Sequence, residues 1–131
     1  MSTVDTEDRT AEGFRAYHRR RAQERHEARE ALREKVLAEA KEAVSSLAPE
    51  FPALREIHLF GSILQPGRFT EQSDVDLAVE TDRGAEDPFE QESRFWRAME
   101  EALRRNVDLR PLEDRKIRQI VTRHGKKIYA R

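Results

Sequence analysis

The chain is 131 residues long, a length that fits one domain built around one hydrophobic core. Charged residues make up 39% of it and hydrophobic residues 37%, so the core must be compact and much of the chain must serve as solvated surface. A formal net charge of −1 excludes a global field that would steer the protein to nucleic acid or an anionic membrane, and the lack of cysteine excludes disulfides, thiolate metal sites and a cysteine nucleophile.

Residues 1–12 are polar and acidic and read as a flexible N-terminus. They show no apolar stretch behind a basic start, and no run in the chain approaches the roughly 18 apolar residues that span a bilayer, so a cytoplasmic protein with no membrane contact is expected. Residues 13–48 read as one long helix or two in series, rich in Ala, Glu, Arg and Lys and stopped by Pro49 and Pro52. Its second half carries an apolar stripe, Leu32, Val36, Ala40, Val44 and Leu47, that should dock on a core. Its first half has Phe14, Tyr17 and Ala22 and is otherwise mostly charged. The run His18-Arg19-Arg20-Arg21, with Arg25 and Arg29, suits RNA or phosphate, but Glu24, Glu27 and Glu30 between them favour a salt-bridged solvated face. Phe14 and Tyr17 make protein contact the stronger alternative to that bland reading.

Residues 55–60 read as a strand closed by Gly61-Ser62, with Ile57 and Leu59 facing one way and His58 and Phe60 the other. Residues 63–73 form a turn or short helix and a loop broken by Pro66 and Gly67. Residues 74–80 are a second strand. Residues 88–105 read as a helix with Asp87 as N-cap, Pro88 at the first position and Glu90 completing a capping box. Phe89, Phe95, Trp96, Met99 and Leu103 would supply its apolar face. Residues 106–112 are a short third strand, residues 113–124 a helix with Ile117, Ile120 and Val121 inward and Gly125 as C-cap, and residues 126–130 a possible last strand.

Three features point to chemistry. Asp74-Val75-Asp76 on a strand places two carboxylates on one face, with Val75, Leu77 and Val79 turned toward the core. Two carboxylates so close raise each other's pKa, and a divalent cation relieves the conflict; Mg²⁺, which prefers oxygen ligands and accompanies nucleotide phosphates, is the natural guest. Asp108, an acid in an apolar context, reaches the same face if its strand lies beside the second, and three such acids can hold two metals roughly 4 Å apart. Gly61-Ser62 supplies the complement: a glycine that lets backbone approach a ligand, free amides and a hydroxyl donor suited to phosphate oxygens. A phosphate cradle facing an acidic metal site is the arrangement for phosphoryl or nucleotidyl transfer. Taken alone, Ser62 is equally a helix N-cap, Asp108 a strand-edge acid, His58 a partly buried hydrogen-bonded residue and Trp96, Phe95 and Met99 core.

Leu59-Phe60-Gly61-Ser62, a loop, then Ser73-Asp74-Val75-Asp76-Leu77-Ala78-Val79, with a third acid in Val107-Asp108-Leu109, resembles the signature of the minimal nucleotidyltransferases, a branch of the DNA polymerase beta superfamily. The likeness covers roughly residues 55–131. It implies an α/β (α+β) fold, a small mixed sheet flanked by helices occupying residues 49–131, preceded here by the long N-terminal helix. It implies Mg²⁺ and a nucleotide triphosphate, usually ATP. By the resemblance, Gly61 and Ser62 hold the triphosphate, Asp74 and Asp76 bind metal, and Asp108 completes the metal site and assists deprotonation of the acceptor. The loop Ile63-Leu64-Gln65-Pro66-Gly67-Arg68 departs from the family pattern, its glycine coming late.

Many members of that family are antitoxins of a HEPN-domain RNase toxin, and some transfer AMP to a tyrosine of that toxin. The expectation is therefore a Mg²⁺-dependent nucleotidyltransferase, a protein adenylyltransferase that AMPylates a HEPN partner. The rival expectation is a non-catalytic antitoxin that neutralises the partner by complex formation, for which the long helix is the best support. Either reading allows a homo- or hetero-oligomer.

Overall fold

The computed structural model describes residues 10–131. The flexible N-terminus expected over 1–12 falls outside the described residues as far as position 9. Thr10 already caps a helix, its Oγ1 accepting from the Gly13 amide at 2.8 Å. That helix, α1, runs Ala11–Leu47 as one continuous element of 37 residues, about 55 Å at 1.5 Å per residue. Pro49 ends it, because a proline in the next turn has no N–H for the ladder, and the chain passes into a single 3₁₀ turn over Ala48–Glu50.

Four strands follow: β1 Leu54–Phe60, β2 Val75–Thr81, β3 Val107–Pro111 and β4 Lys126–Ala130. They form one sheet in the order β3-β2-β1-β4. β1 pairs antiparallel with β2 and β4, while β2 pairs parallel with β3. The parallel pair needs a crossover, which is helix α2, Pro88–Leu103; helix α3, Arg115–His124, leads from β3 to β4.

Strand alternation divides the apolar residues between two faces. Ile57, Leu59, Val75, Leu77, Val79 and Val107 meet Val36, Ala40 and Val44 of α1 and Phe95, Met99 and Leu103 of α2 in the main core. On the other face Phe60, Ala78 and Leu112 are covered by Ile117 and Val121 of α3. Because α3 is only ten residues long, this second face is covered in part, and the remainder is where Asp76 and Asp108 lie in register.

The structure corrects three local expectations. Asp87 is not a side-chain cap: it sits in the left-handed region (φ 47, ψ 54) and makes no capping hydrogen bond. Gln91 instead ties this corner down, donating to the Glu86 carbonyl at 2.6 Å and accepting from the Ala53 amide at 2.9 Å. Phe89, expected on the apolar face, is 67% exposed beneath the Arg83 guanidinium, and Trp96 lies at the rim, where its indole N–H donates to the Val107 carbonyl at 2.7 Å. Ile120 points outward at 42% exposure, because a ten-residue helix packed on a few side chains buries only the i, i+4 pair Ile117 and Val121. Gly125 does close α3, but through crowding: its φ is −84, and a Cβ there would lie 2.6 Å from the Val121 carbonyl oxygen. Among the described residues no helix is long and apolar enough to cross a membrane.

Leu77 is fully buried and Ile120 is not. Leu77→Ala should therefore cost about 3 kcal/mol in urea unfolding, and Ile120→Ala about 0.5 kcal/mol or less.

Candidate active site

The site begins with β1 register. Phe60 pairs directly with Asp76, so the next residue, Gly61, lies against the Asp76 side chain. Gly61 has φ +80, and a Cβ built there would overlap Asp76 Oδ2. Both the backbone conformation and the lack of space demand glycine. The strand then tightens into a 3₁₀ turn, Gly61–Leu64, closed by a Gln65 amide donating to the Ser62 carbonyl at 3.0 Å. Ser62 is not the cap of this turn; Phe60 holds that position without a side-chain bond. Among the described residues no hydrogen bond engages the Ser62 hydroxyl, which leaves it available to a ligand.

The acids come from β2 and β3. Asp76 and Asp108 are direct partners across the parallel pair and share a face. Asp74 stands exposed just before the first residue of β2. Burial, then the carboxylates of Asp108 and Asp74, push the Asp76 carboxyl up to about 6, against a pull downward from Arg110. Asp108 is engaged by Arg110, whose Nε donates to its two oxygens at 3.0 and 3.2 Å. Among the described residues the acids do not close into a ready cluster of three ligands. The donor set is nevertheless all oxygen, the kind Mg²⁺ takes, and Asp76 sits in an excess of negative charge that a cation would relieve.

Two arginines of this site escape sequence reasoning. Arg110 is one, two residues beyond Asp108 and thus on the same strand face, a signal legible in the alternation itself. Arg105 is the other. Its Nη1 donates to the carbonyls of Thr70, Glu71 and Ser73 at 3.2, 2.9 and 2.8 Å, and its guanidinium covers the buried Phe69 ring at 4.9 Å. It fixes the loop that delivers Asp74. Nothing local in the sequence ties residue 105 to residues 70–73.

The remaining candidates fall as ordinary chemistry expects. His58 is partly buried and hydrogen-bonded, its Nε2 3.0 Å from Glu56 Oε1, and Lys127 Nζ lies 3.3 Å from the same oxygen. The His58 hydrogen bond holds the Glu56 carboxyl below its ordinary range. Phe95 and Met99 are core, whereas Trp96 and Phe89 line a cleft of about 350 Å³ beside Asp108.

A family model described as "Polymerase beta, Nucleotidyltransferase" matches residues 42–131. Among solved structures, the chain is similar at 26% identity and TM-score 0.57 to a chain of a toxin–antitoxin crystal structure with AMP-PNP, covering 70% of this chain and 73% of that one. It is similar at 27% identity and TM-score 0.53 to a chain of a mutant of the toxin–antitoxin pair MntA-HpeT, over 69% and 71% of the two chains. It shares the fold, at 22% identity and TM-score 0.51, with a chain of the Shewanella oneidensis complex of a tri-AMPylated HEPN toxin and its MNT antitoxin, over 73% of each chain. Among the curated proteins none matches.

Two outcomes test this geometry without assuming a reaction. With chelator present, a carboxyl held near 6 when folded and near 3.8 when unfolded favours folding below about pH 4 and withdraws that support as pH rises toward 6. Asp76→Asn should thus melt a few degrees above wild type beyond pH 6 and together with it below pH 4, in scans of Tm against pH. Arg105→Ala should cost about 1–3 kcal/mol and speed amide exchange in residues 70–74.

Proposed function

This chain belongs to the polymerase beta nucleotidyltransferase family, and we propose that it uses ATP and Mg²⁺ to transfer AMP to a hydroxyl of a HEPN-type RNase toxin, acting as that toxin's antitoxin. The observation that carries this reading is the contact of Gly61 with Asp76. A backbone turn suited to phosphate and a carboxylate suited to a cation are held edge to edge, which is what a triphosphate bound through its charge requires.

The roles follow from position. The amides of the Gly61–Leu64 turn and the Ser62 hydroxyl would donate to phosphate oxygens. Asp74 and Asp76, with Asp108, would hold magnesium, which when bound supplies charge neutralisation and orientation of the phosphates. Asp76, its carboxyl raised to about 6 without a cation, is the acid most responsive to one. The acceptor hydroxyl oxygen attacks the α-phosphorus, the bond from that phosphorus to the bridging oxygen breaks, and pyrophosphate leaves. Asp108 would take the hydroxyl proton once its carboxylate turns from Arg110, whose guanidinium is then free for phosphate. Two solved neighbours at 26% and 27% identity are toxin–antitoxin structures, one with AMP-PNP, which supports both a nucleotide and a toxin partner.

A second reading rests on one observation. Asp108 is occupied by Arg110 and the acids are not preassembled, as in a chain that neutralises its partner by covering it. The experiment mixes this chain with the purified toxin, α-labelled ATP and Mg²⁺. Transfer should label the toxin, stop with chelator, and fall at least about 100-fold in Asp76→Asn with no loss of Tm. A stable complex without label assigns the chain to the binding role.

A further inference from the structure

The arginines of the first half of α1 were expected to be neutralised by interleaved glutamates, and they are not. Residues 15–29 hold six arginines, Arg15, Arg19, Arg20, Arg21, Arg25 and Arg29, against two acids, Glu24 and Glu27, a net charge of +4 in a chain whose total is −1. Among the described residues none of the six takes part in an ion pair; the pairs that form on α1 are Arg33 with Glu30 and Lys35 with Glu39. Glu27 is taken by Gln23 at 3.0 Å, and Glu30 by Arg33 and the Gly67 amide.

Helical phase keeps five of the six on one half of the helix, although among the described residues Arg20 and Arg21 leave Glu24, and Arg15 leaves Glu12, unpaired at spacings of three and four. At about 100° per residue, Arg15, Arg19, Arg21, Arg25 and Arg29 all fall within about 100° of the direction marked by Val36, Ala40 and Val44, while Glu24 and Glu27 lie on the opposite side. The face that is apolar where α1 crosses the sheet becomes cationic where α1 leaves it. No residue of Ala11–Arg29 is buried, and outward of the Arg25–Arg29 stretch that lies beside the β1–β2 loop the helix projects by about 21 Å. At its outer end the same region carries Phe14, Tyr17 and His18 in ring contact, the first two 60% and 44% exposed. The inner end meets the loop between β1 and β2: Arg33 donates to the Ile63 carbonyl at 3.2 Å, and Arg25 and Arg29 line a cleft with Thr70, Glu71 and Gln72.

We propose that the projecting half of α1 is a nucleic-acid-binding arm that grips the phosphodiester backbone through its unpaired arginines and stacks bases on its exposed aromatic rings. The occupant follows from charge complementarity: guanidinium groups strung over about 21 Å of helix, none of them ion-paired among the described residues and with a net charge of +4 over residues 15–29, match a polyanion of repeating phosphates. The inner end of the row reaches residues 70–72 of the loop between β1 and β2. The inference does not depend on the transferase reading.

The test is fluorescence anisotropy of the full chain with labelled 20-nucleotide single-stranded RNA, the matching DNA and a duplex RNA, across a range of KCl concentrations. Binding of at least one probe should weaken with salt at a log–log slope of about 4, for roughly five phosphates. A triple variant, Arg21→Glu with Arg25→Glu and Arg29→Glu, should weaken binding at least tenfold and lower the slope, and the Gln version of the triple should follow in the same direction with helicity unchanged. A charge-matched control, Arg97→Glu with Arg104→Glu and Arg123→Glu, should stay within threefold of wild type. Equal weakening by arm and control variants, no binding to any probe at low salt, or displacement of RNA by polyglutamate at equal charge would each overturn the proposal, the last assigning the arm to an acidic protein surface.

Discussion

At Gly61 the backbone turns through φ +80 against a carboxylate that already occupies the space a side chain would need. That contact exists because β1 and β2 are antiparallel neighbours with Phe60 opposite Asp76. Shift the register by one residue and Asp76 moves to the core face while Leu77 moves to the site. The main core forbids that shift, since Leu59, Leu77, Ile57 and Val79 must stay together beneath α1 and α2. Packing on one face of the sheet thus sets the chemistry on the other.

The acids of the site differ in what balances their charge. Asp76 carries the cost of its neighbours, expressed as a carboxyl raised to about 6. Asp108 avoids that cost by pairing with Arg110, at 55% and 39% side-chain exposure a solvent-screened pair that a stronger competitor can displace. Arg105 acts at a distance, gathering three loop carbonyls so that Asp74 stands at the mouth of β2.

The long helix divides into two parts by environment. From Val36 onward it is a structural wall of the core. Before that Leu32, Arg33 and Glu30 still tie it to the core and the β1–β2 loop, and toward its outer end its helicity rests on strong helix formers and the Thr10 cap. A helix polar on every side, with six arginines that form no ion pair among the described residues, is organised for contact outside the chain.

Much of this was legible in the residues. Residue patterning marked three strands and left residues 126–130 as a possible fourth, the three- and four-residue spacing marked the docked half of α1, and Asp-Val-Asp on one strand face with Gly-Ser closing another marked the candidate site, because these patterns are local and each residue's partner lies within a few positions. The capping box at Asp87 and the inward Ile120 were misread, because tertiary contacts by Gln91 and the shortness of α3 decide them. What no local pattern holds is which distant residues meet: the β3-β2-β1-β4 order, Asp76 beside Asp108, and Arg105 on residues 70–73. Spacing along the chain determines which way a side chain faces; only the folded sheet and its helices determine what it faces.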